Sequence, residues 1–330
     1  MNKIRIEEYT DKKINEWDNF VYSSNNGTIF HTQRFLNYHF NGKFNFVSYM
    51  FYIGEELVSV LPGGYTFNET YWSPLGASYG SLVVKDITYS VSLQIVDALL
   101  DFFHKKGVKD IYLIPPPLIY SDVYNQHIEY SMLYRKFGFE YHYISHAIDL
   151  TNPLSINYNK KTRYKIRAAK NNPLLSIHEV DNFDAYYPIL LENKRKHNAL
   201  PTHSLEDLVK LKELFPDNIH QFNVYHNDTN SNDSTVIAGA TMFACNKKVT
   251  LCFYNMLNYD YEKLYPAYLT IDYVINWARE QGFSWFDFGV SQDTTSVNPM
   301  TPSLPLIYFK EFFNSRGIFR STYHYSFASH

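Results

Sequence analysis

The chain is poor in cysteine, has no long apolar run and has no surplus of cations. Each shortage removes a class of protein. Only two of the 330 residues are cysteine, Cys245 and Cys252. Both sit in apolar, strand-like stretches, so buried thiols are expected in place of a disulfide framework or a metal pair. No stretch approaches the roughly 18 apolar residues of a membrane span, and residues 1–10 mix charged and apolar groups without the hydrophobic centre of a secretory leader. A soluble protein of a reducing cytoplasm, with no transmembrane segment, is the expectation. The net charge of -3 is too negative for a protein that coats nucleic acid, and DNA is not expected as a partner. His197 and His203 match neither a His-Glu-x-x-His pair nor a zinc finger, so no metal is expected.

What is present is apolar and aromatic: 45% hydrophobic and 18% aromatic residues, enough for one large core or two domains of ordinary size. Two domains fit better, because the halves echo each other. Leu99 to Lys106, Gly107 and Val108 to Ile114 read as helix, left-handed glycine and buried strand. Tyr273 to Gln281, Gly282 and Phe283 to Phe288 read the same way. Upstream, Phe44 to Tyr52 and Leu57 to Leu61 flank a turn at Gly54-Glu55-Glu56, as in a hairpin. Its counterpart is Gln221 to Tyr225 and Thr235 to Ala244, joined by a polar tip, Asn227 to Ser234. The expected fold is a mixed α/β (α+β) layer made twice, with domains at 1–150 and 151–330.

Charge is uneven along the chain. Between Thr151 and His178 there are six Lys or Arg and no Asp or Glu. Asn157 to Lys170 reads as a helix ended by Asn171-Asn172-Pro173. Arg163 and Arg167, four apart, share a face that Lys160 and Lys170 extend. Two guanidiniums on one face, with no acids interleaved, suit capture of a phosphate or carboxylate.

The segments Trp17 to Phe20, Gly27-Thr28-Ile29-Phe30-His31, Thr162-Arg163-Tyr164-Lys165-Ile166-Arg167, Pro201-Thr202-His203-Ser204, Phe286-Asp287-Phe288-Gly289 and Phe309-Lys310 occur in this order. Together they resemble the FemAB-like branch of the GCN5-related N-acyltransferase (GNAT) superfamily, over essentially the whole chain. The resemblance implies two tandem GNAT-like acyltransferase folds and transfer of an acyl or aminoacyl group to an amine. The acceptor it implies is a cell-envelope or polysaccharide precursor, such as an amino sugar, a nucleotide-linked sugar or a peptidoglycan stem peptide. It leaves the donor open between acyl-CoA and aminoacyl-tRNA, the latter with transient tRNA contact. One departure bears on that choice. The superfamily's Gly-rich loop, which cradles the coenzyme A pyrophosphate at a helix N-terminus, is replaced by Asn258 to Ala267, without glycine and with two carboxylates. The loop Gly76 to Gly80 is only a faint substitute.

Acyl transfer to an amine needs a group that takes the amine's proton and a donor for the tetrahedral oxyanion. By resemblance Lys310 takes the oxyanion or leaving-group role, with Phe309 and His203 at the substrate. Alternation puts Asp287 on the strand face opposite Phe286 and Phe288. There it either accepts the amine's proton or caps the strand end through backbone N–H groups. Thr202 or Ser204 ahead of Glu206-Asp207 reads as a helix N-cap. The reaction is expected with the acceptor in a cleft between the halves. The alternative is a non-catalytic module that binds an anionic glycan precursor.

Overall fold

The computed structural model describes residues 3–40, 42–67, 69–196, 198–228, 233–293 and 295–329. In chain order these form β1 (Ile4–Glu8), α1 (Ile14–Ser23), α2 (Gln33–Leu36), β2 (Tyr49–Ile53), β3 (Glu56–Leu61), β4 (Gly64–Tyr65), β5 (Thr70–Ser73) and β6 (Val83–Val84). Then come α3 (Tyr89–Lys105), β7 (Asp110–Leu113), α4 (His127–Tyr134), β8 (Gly138–Asp149), α5 (Lys160–Lys170), β9 (Leu175–Val180), α6 (Tyr187–Lys196) and α7 (Leu205–Leu214). The remainder is β10 (Ile219–Asn227), β11 (Ser234–Ala244), β12 (Val249–Leu257), α8 (Pro266–Glu280), β13 (Trp285–Val290), α9 (Leu304–Glu311) and β14 (Arg316–Ser326). The chain divides into two units: Met1–Ile144 with Gln292–Thr301 and Phe319–His330, and Ser145–Ser291 with Pro302–Ile318.

In the first unit, β1, β2, β3 and β6 form a sheet on which α1 packs Trp17, Phe20 and Val21 against Met50, Tyr52 and Val60. Separately, β5 runs parallel to β7, which pairs antiparallel with Tyr323 to Ser326 of β14. One stripe of α3, formed by Ile95, Val96, Leu99 and Phe103 at helical spacing, covers Tyr71, Ile111, Leu113 and Tyr323. In the second unit, Ser145 to Asp149 of β8 pair with β13, and β12, β11, β10 and β9 follow in order. Here α8 lays Ile271, Val274, Ile275 and Ala278 on Phe222, Ala240, Met242, Phe286 and Phe288. Fully buried rings such as Phe103 and Phe286 each contribute on the order of 2–3 kcal/mol.

The repeat is visible at the level of single hydrogen bonds. At the end of α3, Gly107 at φ +73 donates to His104 O and Val108 donates to Phe103 O. At the end of α8, Gly282 at φ +85 donates to Arg279 O and Phe283 donates to Ala278 O. Both are Schellman closures, which require the left-handed residue that glycine supplies without strain. Each delivers the chain into a strand that is parallel to its neighbour on one side and antiparallel on the other. Two copies of one α/β layer are present, as the sequence suggested.

Other expectations shift. The basic helix begins at Lys160, because the Asn159 side chain caps it by accepting from Thr162 N; residues 153–156 form a separate 3-10 turn. The units change at residues 144 and 145, six residues before Thr151, and the C-terminal stretch serves both units. Strand pairing decides this, since β14 runs from the second unit into the sheet of the first. The hairpin β10–β11 pairs from Ile219↔Phe243 to Asn227↔Ser234, with a one-residue bulge between Val224 and Tyr225; its tip residues 229–232, like His197, lie outside the described residues. No helix among the described residues is long and apolar enough to cross a membrane.

Candidate functional site

The site grows from the end of β13. Phe286 and Phe288 belong to the core of the second unit, so alternation turns Asp287 to the opposite face with Trp285. Asp287 is fully buried, and its Oδ1 accepts from Ser145 Oγ at 2.8 Å and from Gly289 N at 2.7 Å. The second bond is the strand-end capping arrangement left open above. Gly289 sits at φ +71, and the β13–β8 register slips between Asp287 and Val290. At this bend the Gly289 and Val290 carbonyls face Lys310.

Lys310, near the end of α9, takes up those carbonyls. It is 3% exposed and so lies inside the protein. Its Nζ donates to Gly289 O at 2.7 Å, Val290 O at 2.8 Å and Ser291 Oγ at 2.8 Å. An ammonium has three protons, and all three are engaged. Burial lowers the Lys310 pKa to about 8, while Asp287 and the Cys252 thiol act in the opposite direction. Ser291 Oγ lies 2.9 Å from His146 Nδ1. His146 is itself buried, and burial together with the Lys310 charge brings its pKa down to about 4, so the imidazole is neutral. Burial pushes the Cys252 thiol up to about 12; both cysteines are free and buried.

The remaining candidates take no part in these hydrogen bonds. Arg163 and Arg167 are exposed on α5, and neither makes an ion pair among the described residues. Lys170 does not extend their free face: its Nζ holds Asp272 of α8 at 2.6 Å. Lys165 likewise donates to Tyr268 OH at 2.9 Å. His203 is buried among Phe243, Phe253 and Tyr254, with Nδ1 3.0 Å from Tyr254 OH. The residue that caps the next helix is Ser204, in a reciprocal box with Asp207. Phe309 is half-buried against Tyr268 and Phe313. On the Asp287 side of β13 an open pocket of about 360 Å³ is lined by Ala147, Asp149, Trp285, Asn314 and Arg316, among others.

Sequence reasoning missed Ser145, His146 and Ser291. Nothing in the local sequence marks the first two, and only the pairing of β8 with β13 brings Ser145 to Asp287 and His146 to Ser291. The turn before α8 is a 3-10 stretch, Tyr259–Leu264, closed by Tyr265 at φ +60, with no glycine cradle. Among the described residues no group of three or more His, Cys, Asp or Glu is arranged to hold a metal.

A sequence profile of the FemAB family matches residues 190–320. No curated protein sequence matches the chain. The crystal structure of FemX is similar over 98% of this chain and 98% of its own, at 11% identity and a TM-score of 0.71. The C-terminal domain of a putative lysylphosphatidylglycerol synthetase from Agrobacterium fabrum matches over 96% and 92%, at 12% identity and a TM-score of 0.58. A tandem GNAT protein from the clavulanic acid biosynthesis pathway, solved without AcCoA, matches over 98% and 98%, at 6% identity and a TM-score of 0.54. The FemAB profile thus matches the segment 190–320, and the fold of the whole chain is that of FemX and of a tandem GNAT protein.

Proposed function

We propose that this protein is an N-acyltransferase that moves an aminoacyl or acyl group onto an amine of a cell-envelope or polysaccharide precursor. The observation that carries the reading is the buried Lys310 ammonium, held at the bend that ends β13. A cation desolvated to this degree is unusual outside a functional site, and a positive charge held away from water favours the negative charge that develops on a reacting carbonyl or its leaving group. Lys310 acts as a positioning and electrostatic residue, because its three protons are already engaged. Asp287 fixes the bend through Gly289 N and Ser145.

Two observations favour an aminoacyl ester, as in aminoacyl-tRNA, over acyl-CoA. The turn before α8 has no glycine cradle for a pyrophosphate, and α5 presents Arg163 and Arg167 unpaired to solvent, suited to a phosphate or carboxylate. His203 and Phe309 support the fold of the second unit, and any contact with substrate runs through the aromatic groups around them. The work is expected in the cytoplasm, where both donor classes are found.

The test is single-turnover transfer to an amino-sugar or stem-peptide acceptor from aminoacyl-tRNA and, separately, from acyl-CoA. Transfer from the ester donor supports the reading. A specific observation favours the rival, a binding module: Lys310 has no free N–H for substrate. Retained binding of an anionic glycan precursor with no turnover from either donor would establish that rival.

A further inference from the structure

The Lys310 ammonium is buried, and two of its three bonds end on backbone carbonyls, which pass no proton onward. The third leads out. Ser291 Oγ accepts from Lys310 at 2.8 Å and has one proton of its own, and its other near neighbour is His146 Nδ1 at 2.9 Å. That fixes the order of donation: Lys310 to Ser291, and Ser291 to Nδ1. Nδ1 is then the unprotonated nitrogen, and the neutral imidazole carries its proton on Nε2. Nε2 has no hydrogen-bond partner among the described residues.

We infer that Lys310, Ser291 and His146 form a proton wire whose donating end, His146 Nε2–H, serves the leaving group of the acyl donor. The inference rests on the acyltransferase reading and adds Ser291 and His146 to it. As the tetrahedral intermediate collapses, the bond from carbon to the leaving oxygen breaks, and its electron pair takes the Nε2 proton. Nδ1 takes the Ser291 proton, and Ser291 takes one from Lys310. Lys310 ends neutral and His146 ends as the Nδ1–H tautomer. The proton released by the attacking amine recharges the wire in reverse, entering at Nε2 and ending on Lys310. Over one turnover a single proton passes from amine to leaving oxygen, and each member of the wire returns to its starting state.

The charged and titratable groups facing Lys310 are Asp287 and Cys252, with the neutral His146 across Ser291. A lysine brought down to about 8 gives up a proton near neutral pH far more readily than a solvated one. The leaving group decides how much this matters. The alkoxide released from an ester is strongly basic and needs a proton, whereas a thiolate is stable near its own pKa of about 8.5.

Ser291→Ala should therefore slow transfer from an aminoacyl ester by a factor on the order of 100, and slow transfer from a thioester by less. Ser291→Thr, which keeps the hydroxyl, should recover most of the ester activity. Nitrogen-15 NMR of His146 supplies a readout that needs no turnover. The Nε2–H tautomer should prevail at pH 6–7 and give way to Nδ1–H as the pH passes about 8, and Ser291→Ala should abolish the change. A tautomer that ignores Lys310, or equal ester rates in Ser291→Ala and the unmodified protein, would overturn the wire while the acyltransferase reading stands. No transfer by the unmodified protein would overturn that reading instead.

Discussion

Burying Lys310 costs the folded protein stability, and the cost depends on pH. Its pKa is about 8 folded against 10.5 for a free lysine, so between those values the unfolded chain holds more protons than the folded one. Stability then rises with pH across this window. The penalty is full below about 8 and gone above about 10.5, and the difference is about 3 kcal/mol. Denaturant unfolding of the unmodified protein and of Lys310→Met, at pH 7 and pH 10.5, measures it: the gap between the two should move in favour of the unmodified protein at the higher pH. Equal gaps would mean that Lys310 is solvated. Gly289 gives a second test at this scale. A Cβ there would meet Leu251 Cδ1 at 3.5 Å, an ordinary contact, so the objection to a side chain is the φ of +71 alone. Gly289→Ala should destabilise by about 1–2 kcal/mol and slow transfer by disturbing both carbonyls that hold Lys310. Unchanged stability would show that the bend is relaxed.

Among the elements, α5 carries the clearest prediction. Arg163 and Arg167 are exposed, while Thr162, Ile166 and Ala169 bury the other side of the helix. Changing both arginines to Gln should leave the fold intact, raise KM and flatten its dependence on salt. Unchanged kinetics at low salt would return this face to a merely solvated surface. This helix also shows what a sequence makes legible. The i, i+4 arginine pair and the stop at Asn171-Asn172-Pro173 could be read directly, because both follow from local geometry. The fate of Lys170 could not, since its partner Asp272 is 102 positions away on α8. The same holds for the site. Asp287, Gly289 and Lys310 stand in recognisable local patterns. Ser145 and His146 acquire meaning only when β8 pairs with β13, and a period of two says which residues share a face but never which strand lies alongside.

At the scale of the whole molecule, the helix, glycine and strand repeat was legible because Gly107 and Gly282 mark equivalent closures. The division of the chain was less so, because the strand that completes the β7 sheet comes from the far C-terminus. A fragment of residues 1–150 lacks that strand and leaves an edge of β7 unpaired, so it should expose its core and aggregate. A monomeric, cooperatively folding fragment would contradict this assignment. In the proposed reaction Lys310 is the charge behind acyl transfer. The most direct measurement is single-turnover transfer from aminoacyl-tRNA at pH 7 by the unmodified protein and by Lys310→Met, with donor binding measured in parallel. The expected result is a loss of rate by a factor on the order of 100 or more with donor affinity nearly unchanged, and equal rates in the two proteins would contradict it.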